Sequence, residues 1–208
     1  MKKIILAVLV CSLSSCELLE NKKSVNEKVA IYDNNFERKL IDLKYDDIID
    51  GYVSKDGIKY CRELDLSKLG LFDLKGIEAF DSLRELNVSY NQLTSIDLSK
   101  NTGLVKINIE YNQLTSIDLS KNTKLVNLYV SNNQLTSIDL SKNTKLVNLY
   151  VYSQNDGLNK LNINGCDSLK VIGTLKNIPE LIENDLKNKG FVTYYKGYSN
   201  NTYWSRTK

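Results

Sequence analysis

Residues Asn91–Thr102 read NQLTSIDLSKNT, and the same stretch returns unchanged at Asn112–Thr123 and Asn133–Thr144. The steps are 112 − 91 = 21 and 133 − 112 = 21 residues. Self-similarity at a fixed step of this size is the signature of a solenoid, in which each repeat is one coil of the chain. Leu104, Ile107, Ile109, Asn112, Leu114, Ile117 and Leu119 recur as Leu125, Leu128, Val130, Asn133, Leu135, Ile138 and Leu140. The alternation at Ile107-x-Ile109 and Leu128-x-Val130 sends two side chains to one face of a short strand. Strands of successive coils then lie side by side, about 4.8 Å apart, as a parallel sheet. Ile96 and Leu98 alternate again, which predicts a second short strand on the opposite wall. Asn91, Asn112 and Asn133 stand where the chain leaves the strand. A side-chain amide there both donates to and accepts from buried backbone, so these three form a structural asparagine ladder.

Weaker units flank the clear ones. Leu64, Leu66, Leu71, Leu74, Ile77, Phe80 and Leu83 make a first coil, with a step of 86 − 64 = 22 to Leu86. Leu158, Leu161, Ile163, Leu169 and Ile172 continue the pattern after a step of 158 − 135 = 23. The additional residues fall around Ser153–Asn155, with Gln154 at the asparagine position. A lone coil buries too few aliphatics to offset the entropy of ordering its backbone, so coils must stack. Copying a coil that already matches itself lengthens such a stack. Verbatim copies also argue against a catalytic centre, which needs different groups converging.

The spacing resembles the leucine-rich repeat, L-x-x-L-x-L-x-x-N-x-L, over Cys61–Leu175. The resemblance implies a repeat solenoid with a parallel β-sheet on the concave face and an irregular or short-strand convex side. A helical N-terminal cap and a helix-plus-strand C-terminal cap should close it. The boundaries that follow are 1–15 signal peptide, 16–30 polar tether, 31–60 N-terminal cap, 61–175 solenoid and 176–208 C-terminal cap and tail. Asn34-x-x-Glu37 resembles a capping box with Asn34 as the cap. The run from Asp33 into Ser99 resembles the cap and first repeats of secreted leucine-rich repeat proteins of Bacteroidetes. The 21-residue units are similar to those of internalin-type surface proteins. Such resemblance implies surface display and binding of other molecules, a protein or a glycan.

The N-terminus carries Lys2 and Lys3 ahead of a short apolar core, Ile4–Val10, too short to span a bilayer. Leu13–Ser14–Ser15–Cys16 resembles the lipobox of bacterial lipoproteins, in which Cys16 is lipidated and becomes the new N-terminus. This predicts a lipid-anchored protein of the bacterial cell envelope. Glu17, rather than Asp, follows Cys16 and favours the outer membrane or cell surface.

Composition removes several functions. The net charge is +3, or 3 − 2 = +1 without Lys2 and Lys3, which gives no footprint for nucleic acid. The chain has no histidine, so Ser–His and Cys–His catalysis and imidazole metal ligation are excluded. No nucleophile elbow or phosphate loop is present. We therefore expect no catalytic residues and no cofactor. Asp46, Asp47, Asp50 and Asp56 do not have EF-hand spacing, so no metal is expected either.

Function is left to the outward strand positions, which vary between coils. The middle column runs Asp65, Asn87, Asn108, Tyr129, Tyr150, Gly173. The column before it runs Glu63, Glu85, Lys106, Asn127, Asn148, Val171, and the column after runs Ser67, Ser89, Glu110, Ser131, Tyr152, Leu175. Tyr129, Tyr150 and Tyr152, edged by Asn127, Asn148 and Glu110, form the candidate ligand-binding patch, since tyrosines are rigid amphipathic anchors. The alternative is a structural envelope lipoprotein without a specific ligand, its tyrosines merely stacking along the sheet. Six strands present roughly 500 Å² of sheet face. That is below the ~800 Å² per partner of a standard interface. Past the last coil, Ile178, Leu181, Ile182 and Leu186 share a helical face that Gly190 ends. The aromatic run after it is expected to close the last coil as a strand; an exposed arm is the alternative.

Cys61 takes a buried leucine position in the first coil and Cys166 lies four coil steps away, roughly 20 Å at ~4.8 Å per step. A disulfide needs Cα atoms within about 7 Å. The fragment Lys22–Lys208 should accordingly titrate two free thiols when unfolded without reductant, and a titre of zero would refute the separation.

Overall fold

The computed structural model describes residues 27–152, 154, 157–175, 180–195 and 201–206. The expected signal segment and Cys16 lie outside them. Among the described residues no helix is long and apolar enough to cross a membrane.

Strands β3 (Glu63–Asp65), β4 (Glu85–Asn87), β5 (Lys106–Asn108), β6 (Asn127–Tyr129), β8 (Asn148–Tyr150) and β10 (Val171–Leu175) pair in parallel, one from each coil. Their register aligns Leu64, Leu86, Ile107, Leu128, Leu149 and Ile172 as one buried row. The core is therefore continuous along the stack. The opposite wall is less regular. Among the described residues, β7 (Ser137–Asp139) and β9 (Lys160–Asn162) alone pair there. The equivalent residues around Ile96 and Ile117 stay unpaired and half-buried, whereas Ile138 is buried. The predicted second strand thus forms in the last two coils alone. In every copy an aspartate bends the chain on this wall, with Asp97, Asp118 and Asp139 each accepting from the N–H two residues on, at Ser99, Ser120 and Ser141.

Side-chain amides tie the coils together. Asn112 Nδ2 donates to Val88 O (2.9 Å) in the preceding coil and to Ile109 O (3.1 Å) in its own, while its Oδ1 accepts from Leu93 N–H at 3.0 Å. Asn91 and Asn133 repeat this arrangement. Gln154 completes it, reaching Val130 O at 2.9 Å and taking Leu135 N–H at 3.0 Å.

A second ladder runs through Asn101, Asn122 and Asn143, all buried. Asn122 Nδ2 donates to Leu98 O at 3.1 Å and Asn101 O at 3.0 Å, and Asn143 does the same to Leu119 O and Asn122 O at 3.0 Å. Their Oδ1 atoms have no partner among the described residues, so this ladder uses only the donor side of the amide. That explains its two ends. Cys166 supplies the next rung with a thiol, which points at Leu140 O (3.2 Å) and Asn143 O (3.6 Å). At the other end no earlier coil offers carbonyls, and Phe80 takes the position, stacked 6.1 Å from Phe36 of the cap. Cys61 and Cys166 are both buried, and neither is in a disulfide.

The N-terminal cap is a hairpin of β1 (Lys28–Ala30) and β2 (Tyr52–Ser54) around helix α1 (Asn34–Asp42), followed by the short helix α2 (Lys55–Ile58). Lys28–Ala30, the last residues of the expected tether, are in this hairpin because Val29 packs on the core. The capping box differs from its sequence expectation. Asp33, not Asn34, caps α1, with Oδ1 accepting from Asn35 N–H (2.9 Å) and Phe36 N–H (3.3 Å). Its Oδ2 also takes Phe72 N–H at 3.3 Å, joining helix and first coil. Glu37 does not fold back on the cap; it is buried, and its Oε1 accepts from the N–H groups of Asp50, Gly51 and Tyr52. A carboxylate that can collect three donors from a neighbouring loop has no need of the helix start.

Helix α3 (Glu180–Asn188) buries Ile182 and Leu186 and stops at Gly190, whose φ of 79° is the left-handed conformation that ends helices. Strands β11 (Phe191–Tyr195) and β12 (Asn201–Arg206) follow, and β12 pairs antiparallel with β10. The inner sheet consequently has eight strands rather than six. Trp204 aligns with Ile172 and is buried, closing the row of inward aliphatics.

Asn122→Leu removes a donor from two buried carbonyls. Each carbonyl keeps one backbone donor, Asn101 N–H at Leu98 O and Leu104 N–H at Asn101 O, so the loss in urea unfolding should be about 1–3 kcal/mol, at about 0.5–1.5 kcal/mol per hydrogen bond. Asn122→Cys should cost less than Asn122→Leu, because a thiol already serves as the rung at Cys166.

Candidate binding surface

Parallel register turns the outward positions into columns. Asp65, Asn87, Asn108, Tyr129, Tyr150 and Gly173 are Cα partners in sequence, and so are Glu63, Glu85, Lys106, Asn127, Asn148 and Val171. Strands β5, β6 and β8 therefore bring Asn127, Asn148, Tyr129 and Tyr150 together, with Glu110 and Tyr152 just past the ends of β5 and β8. The Tyr129 and Tyr150 rings are parallel, with centroids 4.9 Å apart and planes at 3°. Asn148 Nδ2 donates to Asn127 Oδ1 at 2.7 Å. All six side chains are half-buried. A Cβ at Gly173 would sit 2.8 Å from the Tyr150 ring, so the missing side chain is what lets that ring lie over β10.

Glu110 is the charged member of the patch. Burial pushes its carboxyl up, and the neighbouring Ser131 hydroxyl offsets part of the rise. No cation pairs with it among the described residues. The other end of the face is different. Lys106 Nζ meets Glu85 Oε2 at 3.0 Å beside a recess of about 240 Å³ whose lining includes Glu63, Asp65 and Asn87. Burial raises the Asp65 carboxyl there, but hydrogen bonds from Ser67 and Asn87 outweigh it and hold the group below the usual carboxylate range. In the acidic cap run, Asp50 pairs with Lys28 at 2.9 Å. Among the described residues no group of three carboxylates or thiols is placed to hold a metal ion.

Sequence reasoning missed a further aromatic column. Lys68, Tyr90, Tyr111 and Asn132 each precede or replace the start of a ladder turn and have φ of 59°, 58°, 56° and 56°. This left-handed region is ordinary for asparagine and unfavourable for tyrosine. Tyr90 and Tyr111 nevertheless occupy it, 48% and 44% exposed, with rings stacked 4.2 Å apart. A hydrogen bond to Tyr90 holds the Tyr111 phenol above its usual value, and burial adds to the shift. Lys68 Nζ lies 5.2 Å from the Tyr90 ring centroid and ends the column. The signal was present in the sequence: the residue before the invariant block is Tyr, Tyr and Asn in the three copies.

With this geometry in hand, the molecule is a leucine-rich repeat solenoid with a varied inner face. No protein family profile matches the chain, and no curated protein matches it. Among solved structures, the functional domain of InlJ from Listeria monocytogenes, described as including a cysteine ladder, is 23% identical with a TM-score of 0.54. The alignment covers 72% of this chain and 38% of that one. The internalin InlF from Listeria monocytogenes strain 4b F2365 is 21% identical with a TM-score of 0.54, over 68% of this chain and 48% of that one. The chain thus spans less than half the length of either neighbour, and what it shares with them is the fold.

Because burial holds the Glu110 carboxyl above its unfolded value, the native state binds that proton more tightly. Ionised Glu110 costs stability at neutral pH, and the cost disappears as pH falls through its folded pKa. Glu110→Gln should raise the melting temperature at pH 7 and lose that advantage at pH 4, as thermal denaturation at the two values would show.

Proposed function

We propose that this chain is a surface module, held in the bacterial envelope by lipid on Cys16, that binds a protein or glycan through its concave face without catalysis. The observation that carries this is the placement of Tyr129, Tyr150, Tyr152 and the Asn127–Asn148 pair on one face of a continuous sheet. Along the middle column Asp65, Asn87 and Asn108 give way to Tyr129 and Tyr150, the last two in copies of one unit, while the inward row stays aliphatic. The eight-stranded sheet spans about 38 Å at ~4.8 Å per strand, and the exposed Tyr90–Tyr111 edge widens it toward the area of a standard interface. The lack of histidine favours binding over turnover. The lipobox-like Leu13–Cys16 supports anchoring, since several acyl chains add about 0.8 kcal/mol per buried methylene.

Immobilised wild-type protein and a Tyr129→Ala/Tyr150→Ala variant should be compared for capture from host or envelope extracts. The proposal expects a partner retained by wild type, weakened at least tenfold in the variant, and a melting temperature that changes little. Unfolding of the variant, or equal capture, would instead favour tyrosines that only stack. Separately, the full chain expressed in a bacterium should partition into the detergent phase of Triton X-114, and Cys16→Ser should move it to the aqueous phase.

A further inference from the structure

The outward column after the strands runs Ser67, Ser89, Glu110, Ser131, and it lies between two taller rows. On one side is the middle column, with Tyr129 and Tyr150 in β6 and β8; on the other is the edge stack of Tyr90 and Tyr111, which follow β4 and β5, so the two rows are offset and come nearest each other at the Glu110 coil. Ser89 and Ser131 are buried. Two small hydroxyl residues thus flank Glu110 in a shallow trough, with Tyr111 next to it in its own coil and Tyr129 diagonally across in the next, beside Asn108. Every ion pair found on this face involves another carboxylate: Lys106 takes Glu85. Glu110 has none, although it is half-buried and the coil could have placed a lysine beside it, as it does at Lys106.

The edge wall is kept at a conformational cost. Asn132 shows that the same turn accepts the residue suited to φ near 56°, yet Tyr90 and Tyr111 hold bulky rings in that backbone. The twelve residues that follow are identical in all three copies, so the turn itself does not require tyrosine. The face already holds one cation against this stack, at Lys68, 5.2 Å from the Tyr90 centroid. That contact occupies the far end of the stack, while Asn132 borders its Tyr111 end.

We propose that the trough receives a basic side chain of a protein partner, an arginine foremost, whose guanidinium pairs with the Glu110 carboxylate while its methylenes lie between the Tyr111 and Tyr129 rings. This rests on the recognition role proposed above and specifies its partner as a protein presenting a basic residue. Arginine fits because its planar fork matches a carboxylate with two parallel hydrogen bonds and it is more weakly hydrated than lysine. Its stem can cover apolar ring edges while the charged head reaches the acid. A neutral glycan could donate hydroxyls to Glu110 but would leave its charge without a counter-ion.

The probe is a short peptide, acetyl-Gly-Arg-Gly-amide, with the isosteric citrulline peptide as control, titrated into the purified full-length chain in detergent. Tyrosine-ring and glutamate-carboxyl NMR signals report binding. Saturable shifts at Tyr111, Tyr129 and Glu110 with the arginine peptide, at least tenfold weaker with citrulline and with Glu110→Gln, are expected. Equal responses to the two peptides, or an unchanged response in Glu110→Gln, would overturn the proposal. Should a partner captured through Tyr129 and Tyr150 bind Glu110→Gln as well as wild type, the basic-residue assignment fails while the recognition role stands. If Tyr129→Ala/Tyr150→Ala retains full capture, the recognition role itself fails.

Discussion

The buried side-chain amide that reaches from one coil to the next is the interaction on which this molecule depends. A solenoid coil leaves its turns with peptide groups that neither its own strand nor water can satisfy. Asparagine answers with a group shaped like the peptide itself. At Asn91, Asn112 and Asn133 both sides of the amide are used, and the ladder joins carbonyls and N–H groups of adjacent coils. At Asn101, Asn122 and Asn143 the donor side alone is engaged. The first ladder therefore admits only Gln154 as a substitute, whereas the second admits a thiol and, at its end, a phenyl ring.

This division of labour determines where chemistry can reside. The inward rows must be aliphatic and the ladder rows must be amide-like, so each coil has few positions left to vary. They are the outward strand residues and the left-handed residue just before the ladder. Both sets carry tyrosine. In the middle column the rings stack because β6 and β8 are neighbours in register, and at the edge they stack because successive turns repeat the same backbone angle. Two ring rows of different origin thus follow one another along the stack, the edge row ending and the middle row beginning at the coils that carry Glu110 and Ser131.

Most of the architecture could be read from the sequence because the solenoid repeats its instructions. The step of 21 residues fixed the strand register, and with it the grouping of Tyr129, Tyr150, Asn127 and Asn148. Even Gln154 could be placed from the slip in spacing. What escaped depended on contacts without periodic support. The capping role of Asp33 and the capture of a distant loop by Glu37 arise from single tertiary encounters that the helix signature does not encode. The opposite-wall strand was foreseen in every copy but forms only where β7 meets β9, since alternation marks which side chains point inward and not whether backbones come close enough to bond. Tyr90 and Tyr111 were overlooked because attention fell on the identical block rather than on the residue that breaks the identity.

The two termini of the second ladder have a consequence for the length of the molecule. Phe80 faces a cap and Cys166 faces the last turn, while Asn101, Asn122 and Asn143 face copies of themselves. A genetic slippage that inserts or deletes one whole unit between them would leave every seam looking the same on either side. The protein can consequently change its reach in fixed increments, lengthening the tyrosine-bearing ribbon without redesigning either end.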